Sequence, residues 1–549
     1  MMQAGQWQWL TTPRITVEGT PIAVTNAMYL AWVLRSNLRK LFDINTKEGV
    51  ESYFVWWLGA GRKELRAVPF HLTEDVRRYL EEPAELVFQD SSVPISRVLF
   101  MIWKSRKGLR EAFDLDACQG REGLVQWWLR DGISEYSLQS EAETLSCTGE
   151  GVPFETDLSA SAKLAKSDAP AATFGTYRDG GLNLVGFAQG ELGIGEDLRM
   201  AAASLKAHGL PFTVYNAPIR LSSRSADLRL SDSLSVEPHY RTNLIAIPGI
   251  ETVRILLNHG RGLFANRFNI GAWQWELPFW PRELHDAYRL VQELWAPSRY
   301  IAQAFRESAP VEVLHMPMAV EIDHVPDLVR SDFGFPDQAF IFLFVFDSLS
   351  HFARKNPLAT IRAFQSAFPR SDGDVRLIIK CMNAREDDLG WCEVKEGCGP
   401  DPRIITINDT YSRDRIVGLI NCCDALVSLH RAEGFGRTIA EAMLLGKPVV
   451  VTNYSGNTDF TNPETAFLVD GELRSLTEGE YPFWQGQYWM EPDLDHATEQ
   501  LRACRENPDL AYRLSLAGKA RMESAFSPAA VGKAWIARLR ELGIVSGNG

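Results

Sequence analysis

Arg431 to Val450 reads RAEGFGRTIAEAMLLGKPVV. Two carboxylates, Glu433 and Glu441, stand on either side of seven intervening residues that open with Gly-Phe-Gly. Gly434 and Gly436 remove side-chain bulk, so a ligand can approach the backbone closely. The start of a helix presents unpaired N–H groups and the positive end of its dipole, a natural seat for phosphate. Glu441, in the second turn of such a helix, can point back and accept two hydroxyl hydrogen bonds, as from a ribose diol. Glu433, on the strand side of the turn, can hold hydroxyls of a second group beyond the phosphates. The chemistry suggested is recognition of a nucleoside diphosphate whose far end carries a sugar.

Such a site needs a strand to deliver the turn and a helix to receive it. DALVSL, from Asp424, has the apolar run of a buried strand, HRAEGFG is the loop at its carboxyl end, and RTIAEAMLL is the helix. Gly446 suits the end of that helix and Pro448 lies just beyond. The same alternation recurs along most of the chain. LNLVGF, FTVYN, NLIAI, RILLNH, IGAWQW and VEVLHM form one series of expected strands, and DHVPDLVR breaks it. FIFLFVF, VRLIIKC, RIITIN, DALVSL and KPVVVT form a second series. Near-continuous apolar strands alternating with helices predict two doubly wound α/β domains in tandem. Ligands of that architecture bind in the crevice at the carboxyl ends of the strands.

Composition agrees with a multidomain globular chain. Its 549 residues exceed what one hydrophobic core serves, and 45% are apolar and 23% charged. With 57 basic and 70 acidic residues the net charge is −13, which argues against nucleic acid as a partner. The eight cysteines show no metal-ligand spacing and read as reduced thiols. The N-terminal stretch MMQAGQWQWLTTPR lacks the apolar core of a signal peptide, and AFIFLFVF is too short to span a bilayer, so a cytoplasmic location is expected.

The first part of the chain repeats itself. An offset of 71 positions aligns Trp32 with Trp103, Leu38 with Leu109, Arg39 with Arg110, and Phe42-Asp43 with Phe113-Asp114. It also aligns Gly49 with Gly120, Trp56-Trp57-Leu58 with Trp127-Trp128-Leu129, Gly61 with Gly132 and Glu64 with Glu135. Apolar spacing predicts a mainly helical domain over 1–146, whose WVLRSNLRKLF and WKSRKGLREAF segments mix basic and aromatic residues. These read as solvated helix faces over a Trp core, or as a face that docks a membrane or an acceptor. Residues 147–181 have linker composition. The α/β domains are expected over 182–325 and 326–549.

The pattern Glu433-Gly-Phe-Gly-x4-Glu441-Ala-Met-x2-Gly446-x-Pro448-Val-Val resembles the Glu-x7-Glu signature of retaining glycosyltransferases of family 4, which have the GT-B fold. The resemblance covers Leu182 to Gly549. It implies that Glu433 contacts the donor sugar and Glu441 the ribose, and that amides from Phe435 through Arg437 to Thr438 help bind the diphosphate. Lys355, or its neighbour Arg354, matches the family lysine that neutralises the leaving diphosphate. Asp347 and Ser348 stand where the family carries an arginine, leaving Arg354 and Arg437 as candidates for that cation. The loop with Gly190, Gly193 and Gly195 resembles the family's first glycine loop, facing the phosphates and acceptor across the cleft.

NIGAWQWELPFWP occupies the position of a family histidine and contains none. Glu276 there is a candidate general base or sugar ligand, and Trp273 and Trp275 read equally as sugar platforms or as core. His430 is the histidine expected in the cleft, and Asn453, Ser455, Gly456 and Asn457 form a polar loop on the same edge. The amphipathic C-terminal segment SPAAVGKAWIARLRELG resembles the family helix that crosses back onto the first α/β domain.

The expected reaction is transfer of a sugar from a nucleoside diphosphate sugar to a saccharide or lipid-linked acceptor, with retention and without a dedicated metal or other cofactor. By family habit the product is a bacterial surface polysaccharide or glycoconjugate, made at the inner membrane face where the acceptor is lipid-linked. A sugar-nucleotide epimerase, a phosphorylase, or an inactive scaffold working through its N-terminal repeat are the competing readings.

Overall fold

In the computed structural model, residues 4–65, 68, 70–84, 93–136, 177–218, 224–371 and 373–546 are described. The linker read over 147–181 lies outside them as far as Thr176. The chain divides into two compact units, 1–175 with 253–266, and 176–252 with 267–549.

In the first unit, helices α1 (Asn26–Leu34), α2 (Ser36–Leu41) and α3 (Lys47–Trp56) are repeated as α4 (Arg97–Ser105), α5 (Lys107–Ala112) and α6 (Cys118–Trp127). A π-helical turn follows each set, Trp57–Gly61 and Trp128–Gly132. Matched residues do matched work. Trp32 Nε1 donates to the Phe42 carbonyl at 2.9 Å, and Trp103 Nε1 donates to the Phe113 carbonyl at 2.9 Å. A Cβ on Gly49 or Gly120 would stand 1.8 Å from the carbonyl oxygen of Asp43 or Asp114, so neither position admits a side chain. Arg35 and Arg106 lie over Trp56 and Trp127 at 5.7 and 5.4 Å, and pair with Glu64 and Glu135. Trp57 and Trp128 are buried. Arg39 and Arg110 turn back onto the carbonyls of Val33 and Lys104. Folding alone thus accounts for much of the identity between the repeats.

The second unit holds both α/β domains. The first has strands β1 (Leu182–Gly186), β2 (Phe212–Asn216), β3 (Thr242–Ile245), β4 (Phe268–Gly271), β5 (Glu293–Ala296) and β6 (Glu312–His315), all parallel in the order β2-β1-β3-β4-β5-β6. Asn183, Asn243 and Asn269 are in register on three adjacent strands and join side chain to side chain at 2.8 Å. This buried amide ladder satisfies polar groups that would otherwise be orphaned. Two expectations for the chain between residues 254 and 275 fail. RILLNH, read as a strand, lies in the helix Gly249–His259, and IGAWQW leaves the sheet after Gly271. Runs that short carry too little periodicity to separate a buried helix from a strand.

The second domain has β7 (Phe340–Asp347), β8 (Val375–Met382), β9 (Ile404–Asn408), β10 (Ala425–Ser428), β11 (Val449–Thr452) and β12 (Phe467–Val469), parallel in the order β9-β8-β7-β10-β11-β12. Strand β7 explains why its sequence is apolar throughout. Phe342, Phe344 and Phe346 enter one core with Leu377 and Val427, while Ile341 and Leu343 enter the opposite core with Ile378 and Leu426. Alternating side chains bury both faces. The order reverses between β7 and β10, which makes the loops after those strands the lips of a binding crevice.

An antiparallel hairpin, β13 (Gly471–Ser475) and β14 (Tyr488–Pro492), follows β12. The last helix described, Pro528–Glu541, packs on the first α/β domain: Trp535 meets Trp295 at 5.3 Å, and Arg538 Nε reaches Glu293 at 2.9 Å. The second unit is therefore two Rossmann-like domains closed by a returning helix, the GT-B arrangement. Among the described residues no helix is long and apolar enough to cross a membrane.

Candidate active site

Strand β10 delivers the loop that contains Glu433, and helix α7 (Arg437–Leu444) receives it. Gly436 turns the corner at φ +94°, a left-handed conformation that favours glycine. The loop after β11 locks the turn from beneath. Gly456 N–H donates to the Glu433 carbonyl at 2.8 Å, and Glu433 N–H donates to Ser455 Oγ at 2.7 Å. From the other lip, after β7, Arg354 donates to the Ala432 carbonyl at 2.8 Å, and Arg431 N–H donates to the Arg354 carbonyl at 2.8 Å.

These backbone ties bring Glu433, Lys355 and Arg354 together. Lys355 Nζ pairs with Glu433 Oε1, and Arg354 lies 3.3 Å from Glu433 Oε2. Glu433 is buried, and burial pushes its carboxyl up. Lys355, Arg354 and His430 more than reverse that and hold it down to about 2. Burial pushes Lys355 below the usual lysine range, against the pull of Glu433. The result is a carboxylate with two cations at the switch point. Asp347, at the position where the resemblance expects an arginine, is engaged elsewhere. Its carboxylate accepts from Leu349 N–H and from Asn383 Nδ2, both at 3.0 Å.

Two candidates lie behind this cluster. His430 has no exposed surface. Its Nδ1 meets Ser428 Oγ and its Nε2 meets Asn457 Oδ1, both at 3.0 Å. Asn457 donates from Nδ2 to the Thr452 carbonyl and to Thr461 Oγ1 at 3.0 Å each. The polar atoms of both side chains are consumed by a strut under the loop, so the direct contacts expected of His430 and Asn457 are not made available. Burial lowers the His430 pKa accordingly.

Glu441 lies in helix α7 and accepts from Arg413 at 2.6 Å; Arg413 begins the helix Arg413–Cys422. Arg437 is committed across the cleft, its Nε 3.0 Å from Asp197 in the helix Gly193–Lys206. The glycines opening that helix divide in role. A Cβ on Gly195 would stand 2.2 Å from the Gly190 carbonyl oxygen, whereas one on Gly193 would meet nothing within 4 Å. Gly195 therefore serves close packing and Gly193 leaves open space. Glu196, between Arg199 at 2.8 Å and Arg229 at 2.6 Å, is buried. Burial would raise its carboxyl, but Arg413, Arg199 and Arg229 hold it well below the usual range. Sequence reasoning missed Arg413, Glu196, Asp197 and Arg229. The acids at 196 and 197 follow a glycine loop, a signal available in the sequence; the arginines carry none.

Glu276 accepts from the Tyr481 hydroxyl at 2.8 Å. Tyr481 comes from the β13–β14 connection and sits edge-on to His351 at 4.7 Å. Through Tyr481, Glu276 is linked to His351, which directly precedes the helix Phe352–Lys355 that carries Arg354 and Lys355. Its aromatic neighbours are core: Trp273 and Trp275 are 0% and 3% exposed, and Trp273 stacks with Trp280 and Tyr288. The backbone of this segment still shapes the cleft. A Cβ on Gly434 would meet the Trp275 carbonyl oxygen at 2.9 Å, and Ser298 Oγ donates to the Gly434 carbonyl at 2.7 Å. Phe435 is buried against Phe460 and Phe526, so only its backbone can serve a ligand. Thr438 is half-buried in the first turn of α7. Among the described residues no three His, Cys, Asp or Glu side chains converge as a metal site.

Residues 329–475 match the sequence family described as glycosyl transferases group 1. No curated protein matches the chain. Solved structures similar in fold include sucrose-phosphate synthase from Thermosynechococcus elongatus, 14% identical over 67% of this chain and 100% of that one, with a TM-score of 0.49. A glycosyltransferase from Rickettsia africae is 15% identical over 68% and 100%, with a TM-score of 0.48. Anabaena HepE in complex with UDP and glucose is 18% identical over 66% and 99%, with a TM-score of 0.46. The Glu433 loop, Lys355 and Glu441 all fall inside the matched segment, so the second α/β domain carries a glycosyl transferases group 1 domain.

Proposed function

We propose that this chain is a retaining glycosyltransferase that moves a sugar from a nucleoside diphosphate sugar to a saccharide acceptor. The observation that carries the reading is the ionised Glu433 held by Lys355 and Arg354 at the switch point of the group 1 domain. A diphosphate entering at the Gly434–Gly436 turn would exchange with Glu433 for these cations. Lys355, Arg354 and the amides opening α7 would stabilise negative charge on the departing diphosphate. Glu433, released from its pair, would accept hydrogen bonds from sugar hydroxyls. Glu441 would take the ribose diol, with Arg413 orienting its carboxylate. As the bond from the anomeric carbon to the phosphate oxygen breaks, the acceptor hydroxyl would attack the same face and pass its proton to that oxygen. In this reading no dedicated metal and no enzymic nucleophile is required.

A thermal-shift screen of UDP, GDP, ADP and dTDP tests the donor site. A ligand at 100 times its Kd stabilises the folded state by about 2.7 kcal/mol. Flat curves for all four would overturn the reading. Glu433→Ala and Glu441→Ala separate an enzyme from a scaffold: both should stay folded and lose turnover.

A further inference from the structure

We infer that Asp197 competes with the donor diphosphate for Arg437, so that a carboxylate of the first α/β domain limits how tightly the second domain holds its nucleotide. This rests on the glycosyl transfer reading. It goes beyond that reading by adding a third, masked cation to Lys355 and Arg354.

Asp197 is tied to both ends of the glycine turn. At one end Arg437, the first residue of α7, donates from Nε to Asp197 Oδ1 at 3.0 Å, and its Nη2 reaches the same oxygen. At the other end the link runs through Gln274, which donates from Nε2 to Asp197 Oδ2 at 3.0 Å. The Oε1 of Gln274 lies 3.6 Å from where a Cβ on Gly434 would stand. Contacts therefore run in a ring from Gly434 through Gln274 and Asp197 to Arg437. Residues 434 and 437 bound the turn at which the diphosphate enters, and Asp197 closes that ring from the first domain.

Arg437 has little left to offer a ligand while this pair stands. Besides Asp197, its Nη2 lies against Met318 Sδ, and its Nη1 reaches the Ala319 carbonyl at 3.5 Å. The side chains of Arg437 and Asp197 are 13% and 12% exposed. A phosphate takes a guanidinium best through two parallel N–H bonds, so it can grip Arg437 in that way only by displacing Asp197.

The exchange has a cost that falls on the donor. Displacement leaves the Asp197 carboxylate buried with Gln274 as its remaining donor. The neighbouring arginines offer no replacement, because Arg199 and Arg229 are already paired with Glu196 and Asp227. A buried charge that loses its partner is strongly unfavourable, and that penalty is subtracted from the affinity for the diphosphate. Burial already pushes the Asp197 carboxyl up against the pull of Arg437, so its charge is held at a cost even in the pair.

Isothermal titration of UDP, GDP, ADP and dTDP into the full chain, Asp197→Asn and Arg437→Gln tests this. Asparagine keeps the shape of the side chain and removes its charge. The best-bound nucleotide should bind Asp197→Asn about tenfold more tightly, the worth of one charge-assisted contact, and Arg437→Gln about tenfold more weakly. The matching nucleoside, which carries no phosphate, should gain nothing in Asp197→Asn. A tie that only holds the two domains together would give the opposite sign, with weaker nucleotide binding once Asp197 is changed. Unchanged or weaker diphosphate binding in Asp197→Asn, unchanged binding in Arg437→Gln, or an equal gain for the nucleoside overturns the inference and leaves the transfer reading standing. Absence of all four nucleotides from wild type and both variants sinks the transfer reading and the inference together.

Discussion

Gly456→Ala is the sharpest probe of the turn that holds Glu433. Gly456 is not in the left-handed region, so alanine meets no conformational penalty there. The obstacle is space. An added Cβ would stand 1.9 Å from the Gly434 carbonyl oxygen and 2.8 Å from Phe435 N, both backbone atoms. Ordinary contact begins near 3.4 Å, so the two loops must part by 1.5 Å (3.4 − 1.9). That movement breaks the 2.8 Å bond from Gly456 N–H to the Glu433 carbonyl. Overpacking and the lost bond together should cost about 2–4 kcal/mol. For a domain of this size the melting temperature should fall by roughly 4–16 °C. A displacement of that order also exceeds the ~1 Å that can cost about 10²-fold in rate. Differential scanning calorimetry, the nucleoside diphosphate thermal shift and turnover read the three effects separately. Gly193→Ala is the matched control, because its Cβ would enter open space. A Gly456→Ala protein that melts within a degree of wild type and responds normally to nucleotide would refute the packing described for the loop.

Gly195→Ala should behave like Gly456→Ala and unlike Gly193→Ala, since its Cβ would stand 2.2 Å from the Gly190 carbonyl oxygen; melting curves of the pair decide this. Glu433, with its carboxyl held down to about 2, contributes stability that is complete above about pH 4.5 and is lost as pH falls through 2. The contribution is on the order of 3 kcal/mol, and Glu433→Gln should flatten the acid limb of a urea-unfolding series taken from pH 7 to pH 3. Trp32→Phe and Trp103→Phe each remove a 2.9 Å bond to a carbonyl. They should destabilise the N-terminal unit by similar amounts, about 1–2 kcal/mol each, and a large inequality would break the equivalence of the repeats.

Much of this protein is written locally. Strand β7 had to be a central strand, because eight residues of FIFLFVFD leave no polar face to solvate. The repeat in the first unit was visible because identical packing tasks at Trp32 and Trp103, and at Gly49 and Gly120, demand identical residues. Glu433, Gly436 and Glu441 could be found because a turn, a cap and a helix face lie within one short segment. The reading of RILLNH as a strand failed for the converse reason: the run was too short for its period to be heard.

What only the tertiary structure decided is which polar groups meet. Arg413 reaches Glu441 from another helix, Asp197 meets Arg437 from the other domain, and Tyr481 reaches Glu276 across 205 residues. Nothing in the local sequence around Arg413 or Tyr481 marks them, and nothing around Arg437 names Asp197 as its partner, since an ion pair depends on distance in space and not on spacing in the chain. His430 and Asn457 show the same principle from the other side. Their types and positions suit a cleft, yet the fold turns them toward each other at 3.0 Å. Local sequence therefore determined the strands, the turn and the carboxylates. Chain folding over long separations determined the partners of those carboxylates, because burial and charge pairing are properties of neighbours that only the closed chain supplies.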